Sequence, residues 1–227
     1  MTGGDVELRW CALTGTHAAA DLRVLSPAEI ARSTRFWSAE HAADFVRARA
    51  MLRHVLADRT GRRPDDLVFT EGKRGKPELS DRAVSFNLTH TRGLAVVAVA
   101  ATGSLGVDVE AVDSGAVPVW LAPRVLTARE AAAAGTDRRR FLRYWVAKES
   151  YLKWLGSGLT IAPDTLETGL DTEGRAVVTE VEGGLRTGYL HHFDLGAGYV
   201  GAFVYDHHVP YSSPRPAEFH RTSGARG

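Results

Sequence analysis

The stretch Phe141 to Leu159, FLRYWVAKESYLKWLGSGL, organises the rest of the chain. At 100° per residue, Phe141, Trp145, Lys148, Leu152 and Leu155 fall on one broad face, the pattern of an amphipathic helix buried on that side. Gly156 and Gly158 stop it. Glu149 lies at the margin of the face, in an i, i+4 row with Trp145 and Lys153, so an acid and a base project from one helix edge. Taken alone, this is a surface ion pair worth roughly a few tenths of a kcal/mol.

A second acidic pair upstream changes its meaning. Leu105-Gly106-Val107-Asp108-Val109-Glu110 reads as a strand, and residues i and i+2 of a strand share a face. Asp108 and Glu110 therefore point the same way, their Cα atoms about 7 Å apart, while Val107 and Val109 point to the other side. At a solvated edge such a pair costs little. Beside a buried strand the repulsion is larger, and a bound divalent cation would convert it into ligation; hard oxygen ligands suggest magnesium.

The composition sets the frame. The chain has 227 residues, 44% of them hydrophobic, enough for one large domain or two small ones. Lys plus Arg (28) nearly balances Asp plus Glu (27), so no overall field announces nucleic acid or a membrane surface. The single cysteine, Cys11, excludes an intramolecular disulfide framework, fits a reducing compartment and reads as a half-buried strand residue. The start MTGGDVELRW has neither basic leader nor apolar core, and the longest apolar run, Leu94 to Ala101, is too short for a bilayer. The expected location is the cytoplasm.

In chain order, Val6 to Leu13 alternates as a first strand. Ser26-Pro27-Ala28-Glu29 is a capping box opening a helix that carries Arg32 and Arg35. A longer amphipathic helix runs from about Ser38 to Asp58, with Phe45, Ala48, Met51, Leu52, Val55 and Leu56 inward and Gly61 closing it. Arg47, Arg49 and Arg53 decorate that helix, and for at least two of them a solvated position is expected. Glu71-Gly72-Lys73-Arg74-Gly75-Lys76-Pro77 is a basic glycine loop, suited to a phosphate but equally an ordinary turn.

Ser85 to Thr91 leads into Leu94 to Ala100, a central strand, which Thr102-Gly103-Ser104 would join to Leu105–Glu110 as a hairpin. Val117 to Pro123 reads as a linker or surface loop. Thr127-Ala128-Arg129-Glu130 is a second capping box, and Arg138-Arg139-Arg140 a helix start that needs exposure or acidic partners. Ala176 to Val181, Gly188 to Asp194 and Tyr199 to Tyr205 read as three antiparallel strands. His191-His192 and His207-His208 face opposite ways in pairs and are assigned to structure or solvent rather than a metal. The expected class is α+β, a pseudo-dimer of two similar halves, each a small antiparallel sheet on a long helix. The halves are 1–104 and 105–209, with 210–227 a flexible or draped tail.

Four motifs then line up: Gly75-Lys76-Pro77, Phe86-Asn87-Leu88-Thr89-His90-Thr91, Gly106-Val107-Asp108-Val109-Glu110 and Trp145-Val146-Ala147-Lys148-Glu149-Ser150 with Lys153. Their order and separation over roughly Ser26 to Leu159 resemble surfactin-type phosphopantetheinyl transferases. The resemblance implies two α+β halves with coenzyme A in the cleft between them. It implies magnesium held by Asp108, Glu110 and Glu149, pyrophosphate met by Lys153, and coenzyme contacts from Lys76, Pro77, Thr89, His90 and Asp108. Arg32 falls where a basic residue reaches the 3′-phosphate region, whereas Glu29 and Asp44 stand where several relatives place basic residues.

The implied reaction moves 4′-phosphopantetheine from coenzyme A to a serine of an apo acyl or peptidyl carrier protein, releasing 3′,5′-adenosine bisphosphate. Catalytic roles fall to Glu149, Lys153 and His90, with Glu149 as base directly or through a metal-bound water and His90 as second choice. The carrier would be acidic and helical, docking near Val117, Val119, Trp120, Leu121 and Val125, and the duplicated architecture implies a monomer. Two rivals use the same residues: a magnesium-dependent hydrolase of a small pyrophosphate, and a binding module for coenzyme A or a carrier protein without chemistry.

Overall fold

The computed structural model describes residues 6–15, 17–72, 75–112, 117, 120–180, 186–211 and 213–217. Lys73, Arg74, Pro118, Val119, Val181 and the chain beyond 217 lie outside them, so the readings placed there stand as expectations.

The first half opens with β1 (Glu7–Ala12) and α1 (Ala19–Arg23). It continues through α2 (Pro27–Ser33), α3 (Ala39–Thr60) and a two-stranded ribbon of β2 (Phe69–Glu71) and β3 (Pro77–Leu79). β4 (Ser85–Thr91) and β5 (Leu94–Ala100) form a hairpin around Gly93, whose φ of 79° needs no side chain. After β6 (Leu105–Ala111) come α4 (Ala122–Val125), α5 (Ala128–Ala134) and α6 (Arg138–Leu155). The remaining strands are β7 (Leu166–Leu170), β8 (Ala176–Glu180), β9 (Gly188–Leu195), β10 (Tyr199–Tyr205) and β11 (Arg215–Pro216).

Both long helices end on the expected glycines, and each has a side-chain cap at its start. Ser38 Oγ accepts from His41 N–H at the start of α3, Asp137 accepts from Arg140 N–H at the start of α6, and Gly61 and Gly156 close them left-handed. Both capping boxes form, at Ser26/Glu29 and Thr127/Glu130. The arginine run at the start of α6 finds acidic partners in Asp137 and Asp194.

The expected hairpin between Leu94–Ala100 and Leu105–Glu110 does not form. One sheet has the order β11-β1-β5-β4 and the other β6-β10-β9-β8-β7, so β5 pairs β1 and β4 while β6 pairs β10. The reason is burial on both faces. Ala95, Val97 and Val99 pack toward α3, while Val96, Ala98 and Ala100 pack against Val107 and Val109 of β6 and Phe203 of β10. The two sheets thus stack face to face, and Ala101 to Ser104 carries the chain from one to the other. The layers run α3, first sheet, second sheet, α6. Beyond residue 209, Val6 pairs with Tyr211 and β11 runs parallel to β1, so part of the C-terminal stretch is draped on the first sheet. No helix among the described residues is long and apolar enough to cross a membrane.

A solvated position is expected for at least two of the three arginines of α3, but two of them, Arg49 and Arg53, are drawn inside. Arg53 is buried and donates to Glu29, Pro64 O and Leu67 O; Arg49 binds the other oxygen of Glu29; Arg47 reaches Thr14 O. A buried capping glutamate supplies the countercharge that a solvated reading leaves out.

Candidate active site

The alternation of β6 holds: Val107 and Val109 enter the core between the sheets, and Asp108 and Glu110 face the α6 side. What lets α6 come so near is Gly106. A Cβ there would stand 2.0 Å from Ser150 O and 2.4 Å from Trp154 N, so only glycine allows the helix backbone to lie on the strand. Ser150, buried, donates to Ala202 O of β10 at 2.8 Å, and fully buried Lys148 donates to Val125 O at 2.6 Å and pairs with Glu130. The sequence reading did not assign roles to Gly106 or Ser150; a glycine inside a strand is the available signal.

With α6 pinned, Lys153 Nζ reaches Asp108 Oδ1 at 2.6 Å, Thr89 Oγ1 at 3.2 Å and Val107 O at 3.2 Å. Thr89 Oγ1 donates to Asp108 Oδ1 at 2.9 Å, and Thr91 Oγ1 to Glu110 Oε2 at 3.0 Å. Glu149 accepts no hydrogen bond among the described residues, although Asp108, Glu110 and Lys153 all act on it electrostatically. Burial, and next the Asp108 charge, raise the pKa of both Glu149 and Glu110; for Glu110 the donors Thr91 and Trp145 partly offset this.

Four of the expected residues are arranged differently. Lys76 Nζ is turned onto two backbone carbonyls, Leu105 O at 2.7 Å and Lys153 O at 3.3 Å, and burial with the nearby Lys153 charge brings its pKa down to about 8. It fastens the loop before β3 to β6 and α6, while Pro77 opens β3 opposite Glu71. His90 is exposed on β4, where the charges of Lys153, Asp44, Asp108 and His41 act on it; desolvation, then Lys153, lowers its pKa. Arg32 is exposed over the Phe45 ring of α3 at 5.3 Å. Glu29 is held inside by Arg49 and Arg53.

As the side chains stand, no three His, Cys, Asp or Glu groups among the described residues converge closely enough to hold an ion; Lys153 lies against Asp108 instead. The donor set nevertheless suits one. Asp108 is 6% exposed, yet its Oδ2 is buried without a hydrogen-bond partner among the described residues, an acceptor left over beside two more carboxylates.

Residues 104–204, which include Asp108, Glu110, Glu149 and Lys153, match the family model of the 4′-phosphopantetheinyl transferase superfamily. The 4′-phosphopantetheinyl transferase HetI of Nostoc sp. is 36% identical over 144 residues, covering 60% of this chain and 61% of that protein. Over that stretch the chain is similar to the 4′-phosphopantetheinyl transferase superfamily. A putative 4′-phosphopantetheinyl transferase of Synechocystis sp. is 32% identical over 145 residues, 60% of this chain and 59% of its own length. The 4′-phosphopantetheinyl transferase Sfp of Bacillus subtilis is 24% identical over 189 residues, 81% of this chain and 83% of its own. The chain thus spans about three fifths of the first two relatives. The superfamily match and the carboxylate cluster coincide on β6 and α6, the two elements that Gly106 brings together.

Proposed function

We propose that the protein transfers the 4′-phosphopantetheine group of coenzyme A to a serine hydroxyl of an apo acyl or peptidyl carrier protein, releasing 3′,5′-adenosine bisphosphate. The observation that carries this reading is the unequal treatment of three carboxylates in one superfamily-matched site. Asp108 and Glu110 each accept a hydroxyl from β4, while Glu149 accepts no hydrogen bond among the described residues.

Glu149 is therefore the proton acceptor. It takes the serine proton as the serine oxygen bonds to phosphorus and the phosphorus bond to the bisphosphate oxygen breaks; its oxygens, which accept no hydrogen bond from the described residues, are open to that proton. Lys153, with its side chain 29% exposed, can turn from Asp108 to a phosphate oxygen and stabilise the charge that the leaving bisphosphate gathers. Asp108, Glu110 and Glu149 would hold magnesium, which when bound neutralises pyrophosphate charge and orients the leaving group. His90, open to solvent and biased toward its neutral form, is a phosphate-side donor or a second base.

For the carrier, Trp120 is 62% exposed and Val117 and Leu121 are half-buried, whereas Val125 is 1% exposed and belongs to the core, so Trp120 leads the docking segment. The twin capping boxes beneath the two long helices support an internal duplication with its boundary near residue 104, and with it a monomer. The location that suits a carrier-modifying enzyme with one buried thiol is the cytoplasm.

Incubation with an apo carrier, coenzyme A and magnesium tests the reading. A carrier mass gain of one phosphopantetheine is expected. Adenosine bisphosphate without carrier modification would make the protein a hydrolase, and neither product would make it a binding module.

A further inference from the structure

β4 and β6 are edge strands of different sheets, and no backbone ladder joins them. Side chains join them instead. Residues 87, 89 and 91 share one face of β4, and each grips β6: Asn87 Oδ1 accepts from Val107 N–H at 2.9 Å, Thr89 donates to Asp108, and Thr91 donates to Glu110. The two-residue pitch of the threonines matches the two-residue pitch of the carboxylates, so each acid receives one hydroxyl. Asp108 has Lys153 as well, whereas the hydroxyl of Thr91 is the hydrogen bond that fixes an oxygen of Glu110 from the β4 side.

We propose that Thr91 is a positioning residue for Glu110, holding its carboxylate turned toward the cation position beside Asp108 so that cation affinity depends on the Thr91 hydroxyl. This rests on the metal-binding reading of the three carboxylates. Glu110 is half-buried next to a like charge, so an unheld carboxylate would swing toward solvent rather than remain beside Asp108. The Trp145 indole also acts on the same carboxylate, from α6. A fold that needed only bulk at residue 91 would be served as well by valine, which is isosteric but has no hydroxyl to donate. Partners that orient a metal-ligating carboxylate are worth about 10- to 100-fold in metal affinity.

The test compares Thr91→Val and Thr91→Ser with the unaltered protein, using calorimetric binding of Mg2+ and Mn2+ in the presence of coenzyme A, alongside thermal melting. Thr91→Val is expected to weaken cation binding at least about tenfold with a melting temperature within a few degrees of the original. Thr91→Ser, which keeps the hydroxyl, should bind within about twofold. In transfer assays, Thr91→Val should raise the magnesium concentration for half-maximal rate and leave the rate at saturating magnesium nearly unchanged. Unaltered cation binding in Thr91→Val overturns the assignment, and so does equal weakening in Thr91→Ser, which would point to side-chain shape. If the unaltered protein takes up no divalent cation, the metal reading of the site fails, and this outcome is read before any variant is made.

Discussion

The two halves use one device and put it to different ends. In each, a capping-box glutamate at the start of a short helix is buried and paired with a cation from the long helix of the same half. In the first half Glu29 takes two guanidiniums, Arg49 and Arg53, which also lie over the Phe69 ring at 4.7 and 4.9 Å. Burial alone would raise the Glu29 pKa, but Arg49, the Ser26 backbone and Arg53 bring it below the usual carboxylate range. In the second half Glu130 meets a single cation, Lys148, and both side chains are 1% exposed. Glu130 also accepts from Thr168 of β7, so one pair ties α4, α5, α6 and β7 together.

The difference is one of redundancy. The first half can lose a cation and keep its glutamate neutralised, and the second cannot. The second is also where the next residue along the helix is Glu149, so its ion pair sets the rotation of the helix that carries the proposed base. The contrast can be broken at several points.

The largest effect is expected for Glu149→Gln, which should lower the transfer rate by about 10²- to 10⁴-fold with coenzyme A binding preserved. Its melting temperature should hold or rise, because a carboxylate with raised pKa is ionised at a cost to the fold. A variant with full rate would remove Glu149 as base.

Lys148→Met should cost about 3–5 kcal/mol in urea unfolding by stranding the Glu130 charge, and the double variant with Glu130→Gln should regain most of it. If the double variant is no more stable than Lys148→Met, the pair is not the source of the loss.

Acid should loosen the second half first. Burial, and next His208, hold His191 at a pKa of about 4; burial and next Arg143 do the same to His192. A histidine depressed in the folded state contributes fully above its unfolded value near 6.5, and the contribution is lost as pH falls toward 4, here on the order of 2–3 kcal/mol each. Glu29, also depressed when folded, weakens only near and below the ordinary carboxylate range. Urea midpoints at pH 7.5, 6 and 5 should fall, and His191→Phe, stacked like the native ring on Phe203, should flatten that fall.

The smallest effect is expected for Arg49→Met, about 1–2 kcal/mol, because Arg53 remains on Glu29. A loss as large as that of Lys148→Met would erase the asymmetry between the halves.

The sequence by itself determined what is local. Capping boxes, left-handed glycine stops and the 3.6-residue stripe of α6 depend on neighbours within about four residues, and the pairing of Asp108 with Glu110 on one face needs only the two-residue period of a strand. The order of the four motifs was equally legible in the linear chain. Tertiary structure alone decided which strand β6 would join, since β5 is apolar on both faces and periodicity cannot say which partner covers either one. It decided that Arg53, polar by type, would be interior, and that Lys148 would find its countercharge in Glu130, because both countercharges arrive from other helices. And it decided that Gly106 would seat α6 against the strand and that Thr91 would meet Glu110. These contacts span 44 and 19 residues of sequence, and no local rule fixes the distance across them.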